Sequence, residues 1–133
     1  MRALILDDEP EIGRVICRIA ERSGLSAQAV TNLGAFQSQL KLTHPDLILL
    51  DLQLGGEDGL AQLRLLAEQG YAGPVILMSG HDRHVLSSAE RSGRDLGLMI
   101  LATVNKPFGP EELTPLFKQI TSGAFSPGVE RTR

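Results

Sequence analysis

The stretch "DLILLDLQLGGEDG", Asp46 to Gly59, sets four large aliphatic residues, Leu47 to Leu50, directly before a carboxylate, Asp51, and then continues into a glycine-rich acidic turn. An unpaired carboxylate among apolar side chains costs several kcal/mol. Asp51 must therefore reach solvent at a strand end or meet a cation there. The same arrangement recurs along the chain: "RALIL" (2–6) runs into Asp7 and Asp8, "PVILMS" (74–79) ends on Ser79, and "GLMILATV" (97–104) leads to Lys106. A weaker run, "LSAQAV" (25–30), brings the predicted strands to five.

Helical spacing fills the intervals. Ile12, Val15, Ile16, Ile19 and Ala20 share one face, a short helix follows through Phe36 and Leu40, and Leu60, Leu63, Leu66 and Ala67 mark another. The fourth helix has only a thin apolar set, Val85, Leu86 and Ala89, with Gly93 in its middle. It should be marginal in isolation, and it is the element expected to move or to dock on a partner. Leu113, Leu116, Phe117 and Ile120 form the last helical face; Pro115 removes a backbone donor there, so a late start capped by Thr114, or a kink, is expected. Strand and helix alternate five times, and three strands are almost wholly apolar. This is the pattern of an α/β domain with an open, doubly wound, five-stranded parallel sheet. Ligands in such sheets bind at the carboxyl ends of the strands, where the winding reverses.

The bulk properties agree with a single domain. The chain has 133 residues, 42% of them hydrophobic, enough for one substantial core. No stretch reaches the roughly 18 uninterrupted apolar residues of a membrane span, so a soluble, cytoplasmic protein is expected. A net charge of −3 supplies no basic face for nucleic acid. The lone cysteine, Cys17, precludes an intrachain disulfide and reads as a boundary or core thiol in a reducing compartment. Residues 1–121 read as the domain, and 122–133, "SGAFSPGVERTR", as a linker or frayed tail toward a missing output domain.

Parallel strands would bring Asp7, Asp8, Asp51, Ser79 and Lys106 to one edge of the sheet. Carboxylates about 5 Å apart repel by roughly 3 kcal/mol at an effective dielectric of about 20, so three together call for a cation or for protons. A hard divalent ion such as magnesium suits oxygen ligands, whereas zinc would call for cysteine or histidine. One carboxylate could then attack a phosphoryl group, with Lys106 and Ser79 binding its oxygens. Each residue also has a local explanation. Asp8 and Glu11 form a capping-box pattern around Pro10, Asp51 could cap the turn before a helix starting near Glu57, Ser79 could cap the fourth helix, and Lys106 could be a solvated charge. Such explanations suffice singly but do not account for the set at four strand ends.

The ordered elements "ILDDEP", "LILLDLQLGGEDGL", "VILMSG" and "VNKPF" resemble the receiver domain of two-component response regulators over residues 2 to 121. The resemblance implies a flavodoxin-like sheet of order 2-1-3-4-5 and magnesium- (or manganese-) dependent phosphorylation of Asp51 by a histidine kinase, phosphotransfer protein or small phosphodonor. It implies metal ligation by Asp7 through water, by Asp8 and Asp51 directly, and by the backbone carbonyl of Gln53. It further implies phosphoryl contacts from Ser79 and Lys106, a cis peptide before Pro107, and self-catalysed phosphorylation and dephosphorylation rather than classical enzyme activity. The output would be a domain in cis or a partner protein, with a homodimer through the fourth and fifth helices as one form of readout.

Three features depart from that family pattern. Gly55 stands where a proline is common and is followed by Gly56, which should loosen the loop, and Thr103 replaces the aromatic three residues before the lysine. The interval from Ser79 to Lys106 is longer than usual and resembles receivers that precede EAL-type cyclic diguanylate phosphodiesterase domains. His81 and His84 have metal-pair spacing but read as surface, with His81 placed to affect dephosphorylation. Gly55 and Thr103 motivate a different function, a receiver-shaped interaction module independent of phosphorylation. A phosphatase resembling the haloacid dehalogenase family is disfavoured, because "DDEPE" lacks the DxDx[ST] pattern after the first strand.

Overall fold

The computed structural model describes residues 1–53, 60–80 and 83–123. Its elements are β1 (Arg2–Leu6), α1 (Pro10–Arg22), β2 (Ser26–Val30), α2 (Leu33–Thr43), β3 (Leu47–Asp51), α3 (Leu60–Glu68), β4 (Pro74–Ser79), α4 (Arg83–Asp95), β5 (Met99–Asn105) and α5 (Pro110–Thr121). The five strands pair in parallel in the order β2-β1-β3-β4-β5, the doubly wound arrangement expected. The expectations for Gly55, Gly56, the helix start near Glu57, His81 and residues 124–133 fall outside the described residues.

Alternation along the strands divides the core. Leu4, Leu6, Ile48, Leu50, Val75 and Leu77 pack with Phe36, Leu63, Leu66 and Leu86 of α2, α3 and α4. Their neighbours Ala3, Ile5, Leu47, Leu49, Ile76 and Met78 pack with Ile16, Ile19, Leu113 and Phe117 of α1 and α5. Covering both faces explains why β3 and β4 are apolar up to their final residues, Asp51 and Ser79, since neither face meets water. The edge strand β2 alternates exposed and part-buried positions, as its weaker sequence signal suggests.

Helix ends differ from the sequence reading in two places. Glu9, not Asp8, is the N-cap of α1 and makes no side-chain cap hydrogen bond; Pro10 occupies the first helical turn. Asp8 is thus not spent on helix initiation. Helix α5 starts at Pro110, not at Thr114, and runs through Pro115. The Gly109 N–H donates to Glu112 Oε1 at 2.8 Å, and this early closure secures the turns that precede the proline.

In α4, Gly93 has a packing role that helix propensity does not reveal. It is buried, and a Cβ there would meet Ile100 Cδ1 at 2.8 Å. The missing side chain lets the helix approach β5 closely.

The β4–β5 pairing carries a register shift: Val75 pairs with Ile100 but Ile76 with Ala102, leaving Leu101 as the extra residue. Such a bulge changes which residues lie opposite one another beyond it. Ser79 consequently faces Asn105, and the Lys106 N–H donates to the Ser79 carbonyl at 2.8 Å. The bulge therefore helps to set where Lys106 leaves the sheet.

Candidate phosphoryl and metal site

The carboxyl ends of β1 and β3 flank the point where the winding reverses, because the chain passes from β1 to the β2 side and returns to add β3 on the other. Asp7 directly follows β1 and Asp51 is the last residue of β3, and both are only 1% exposed. Asp8 is exposed. One ligand oxygen from each of Asp7, Asp8 and Asp51 lies within 4.8 Å of the others.

Lys106 enters this group from the end of β5. Its Nζ lies 2.8 Å from Asp7 Oδ2, 3.2 Å from Asp51 Oδ2 and 3.4 Å from Glu9 Oε1. The Asp51 contact is also a hydrogen bond. The Asp7 contact is an ion pair, and among the described residues the buried Asp7 Oδ2 has no partner besides this ammonium. Asp7 Oδ1, in contrast, accepts the Glu9 N–H at 2.9 Å and holds the turn into α1.

Asp51 is positioned from several directions. Its Oδ1 accepts the Gln53 N–H at 3.0 Å, and its backbone carbonyl accepts from Gln62 Nε2 at 3.4 Å. The side-chain carbonyl of Gln53 in turn accepts the Gly80 N–H at 3.1 Å. Ser79, 2% exposed, ends β4 beside this link, and its strand neighbour Met78 pairs with Asp51. Asp7, Asp8, Asp51 and Lys106 thus meet through side-chain atoms, whereas Ser79 is tied to Lys106 through backbone. Thr103 pairs with Leu77 within β5 and is half-buried. The Lys106–Pro107 peptide is cis, as the resemblance implied.

Proximity of like charges leaves its mark on titration. Burial raises the Asp51 pKa, with Asp7 adding to the rise, while the Gln53 N–H and Lys106 oppose it. Burial works to lower the Lys106 pKa, but the Asp7 and Asp51 carboxylates outweigh it and the ammonium stays protonated above its ordinary range. Four carboxylates, those of Asp7, Asp8, Glu9 and Asp51, face the single Lys106 ammonium, so the edge carries excess negative charge. A divalent cation would offset most of that excess. The donors are all carboxylate oxygens, the buried Asp7 Oδ2 has only the Lys106 ammonium as a partner among the described residues, and the exposed Asp8 leaves one side open to water. These features fit magnesium, which keeps part of its water shell and takes one or two carboxylates.

Three contributors escaped the sequence reading. Glu9 is not singled out there, Gln53 enters only through its main chain, and Gln62 is indistinguishable from a surface glutamine beside Leu63. Gln62 is in fact 1% exposed. A glutamine adjoining an apolar helical face was its only sequence signal.

The model of the response regulator receiver domain family matches residues 3–118. The chain is 28% identical over 123 residues to the phosphate regulon transcriptional regulatory protein PhoB of Klebsiella pneumoniae, covering 90% of this chain and 51% of that protein. It is 30% identical over 114 residues to the nitrogen assimilation regulatory protein NtrX of Azorhizobium caulinodans, covering 83% of this chain and 24% of that protein. It therefore spans about half or less of these relatives. A crystal structure of a response regulator from Colwellia psychrerythraea superposes with a TM-score of 0.80 at 33% identity, covering 92% of this chain and 97% of that one. With its sheet order, its acidic strand-end cluster and the family match over nearly its whole length, the chain belongs to the response regulator receiver domains, the phosphoacceptor modules of two-component signalling.

Proposed function

We propose that Asp51 is the phosphoacceptor of this receiver. The observation that carries the assignment is its burial at the end of β3, between Lys106 Nζ at 3.2 Å and the Gln53 N–H at 3.0 Å. An Asp51 carboxylate oxygen forms a P–O bond while the P–N bond of a kinase's phosphohistidine breaks. The electron pair leaves on the imidazole nitrogen. Lys106 balances charge on the transferring phosphoryl oxygens, and Ser79 donates its hydroxyl to them. Asp8, Asp51 and the Gln53 backbone carbonyl would hold magnesium directly, and Asp7 would hold it through ordered water. When bound, that ion neutralises the carboxylates and the incoming phosphoryl group.

Residues 1–121 constitute the receiver, with 122–133 leading toward an output domain in cis or a partner protein. A histidine kinase or phosphotransfer protein supplies the phosphoryl group. A new dianionic group beside the Ser79 and Lys106 loops shifts the equilibrium between two arrangements of the α4–α5 region, which is read by the output or by a second copy of the chain.

The direct test is incubation with magnesium and acetyl phosphate, followed by intact mass measurement. One phosphoryl adduct is expected on the wild type and none on Asp51→Asn; an equal adduct on both would refute the assignment. Thr103, half-buried in β5 at the position of the family's aromatic, favours a second reading, an interaction module that works without phosphorylation. That reading requires partner binding to survive Asp51→Ala unchanged.

A further inference from the structure

Gln53 connects two parts of the site that the sheet itself no longer joins. Among the described residues, the last backbone link between the segments is the Leu52 N–H on the Met78 carbonyl, at 2.9 Å. One residue further, the Gln53 main chain holds Asp51 Oδ1 while its side-chain Oε1 accepts from the Gly80 N–H. Gly80 has no side chain to obstruct this approach: a Cβ there would lie 2.7 Å from Oε1. The carbonyl of the preceding residue, Ser79, is already engaged by the Lys106 N–H. The Gly80 N–H is thus a backbone donor just beyond the strand end, beside Ser79, and a neutral carboxamide oxygen occupies it.

A backbone N–H in such a position is suited to an anionic oxygen, which forms a charge-assisted bond roughly twice as strong as a neutral one. The carboxamide sits on a flexible arm, and Gln53 is exposed, so it can leave without disturbing the core. We infer that Gln53 is a placeholder for the phosphoryl group: its side chain satisfies the Gly80 N–H in the unphosphorylated protein and yields that donor to a phosphoryl oxygen on Asp51. The inference rests on the phosphorylation of Asp51 proposed above. Gln53 is then a positioning residue with two opposed effects. Its main chain orients the acceptor, and its side chain competes with the product while holding the start of the β4–α4 connection in its resting place.

The test uses the full chain with magnesium and fluoroberyllate, a phosphoryl mimic, followed by amide NMR. Gln53→Ala should bind the mimic about two- to fivefold more tightly than wild type, the scale of one exposed hydrogen bond. Its Gly80 amide should exchange faster than in wild type without the mimic and at the same rate with it. Gly80→Ala, which places a methyl 2.7 Å from the carboxamide oxygen and so crowds it out, should reproduce the tighter binding and guards against a folding defect in the first variant. Equal or weaker binding by both variants, with wild type binding normally, overturns the placeholder role and leaves the phosphoacceptor assignment standing. Absence of binding in all three proteins overturns both.

Discussion

Asp51 and Lys106 show opposite responses to the same crowding. The Asp51 pKa is raised, burial being the leading cause, so the folded, metal-free protein holds a proton there more tightly than the unfolded chain does. The associated stability is fully present below the ordinary aspartate pKa and is lost as pH rises through the raised one. At neutral pH the charged Asp51 is a net liability of the folded state. Asp51→Asn should therefore raise the melting temperature of the metal-free protein by a few degrees at pH 7 and flatten its decline between acidic and neutral pH, measured by calorimetry in chelator. Lys106, also raised, contributes stability that persists throughout this range and is lost only as pH rises past its folded pKa. At this scale the sequence was partly legible. Asp7, Asp8, Asp51, Ser79 and Lys106 announced themselves by following apolar runs. Gln53 and Gln62 did not, because a glutamine's partner across the sheet depends on which strands become neighbours.

Two elements carry features whose cost or benefit can be isolated. Gly93→Ala gains up to about 1 kcal/mol of helix propensity in α4 but places a Cβ 2.8 Å from Ile100 Cδ1. Overpacking typically costs about 1–3 kcal/mol, so a net loss of stability is expected. Ile100→Val removes the offending Cδ1, and in that background Gly93→Ala should cost about 1 kcal/mol less; denaturant melts of the four proteins measure the coupling. In α5, Pro115 is exposed and its nitrogen cannot donate within the helix. Pro115→Ala should stabilise the protein by about 1–2 kcal/mol, because the restored bond outweighs the entropy returned to the unfolded chain. An unchanged or lowered denaturation midpoint would contradict this. Helical periodicity located both helices, yet it misjudged the start of α5 and the reason for Gly93. The first was decided by the Gly109–Glu112 hydrogen bond, the second by the distance between α4 and β5.

For the whole molecule, the excess negative charge at the sheet edge means that a cation bound there would also stabilise the fold. Lys106→Ala leaves Asp7 and Asp51 without their cation and should destabilise the metal-free protein by about 2 kcal/mol, less than the roughly 3–5 kcal/mol of a fully buried pair because the site opens to water at Asp8. Magnesium should then raise the melting temperature of this variant more than that of wild type, and raise Asp7→Asn least, as read by thermal titration with the ion. Equal shifts in all three proteins would place the ion elsewhere. The architecture itself was legible from five apolar runs separated by helical faces, because a strand covered on both sides must be apolar throughout and an amphipathic helix must repeat every three to four residues. Those are local constraints, written wherever the chain satisfies them. Tertiary structure alone decided the distances among Asp7, Asp8, Asp51 and Lys106, the bulge at Leu101 that sets where Lys106 emerges, and the engagement of Gly80 by Gln53. Each depends on strands far apart in the chain meeting in one register, and no single segment contains that information.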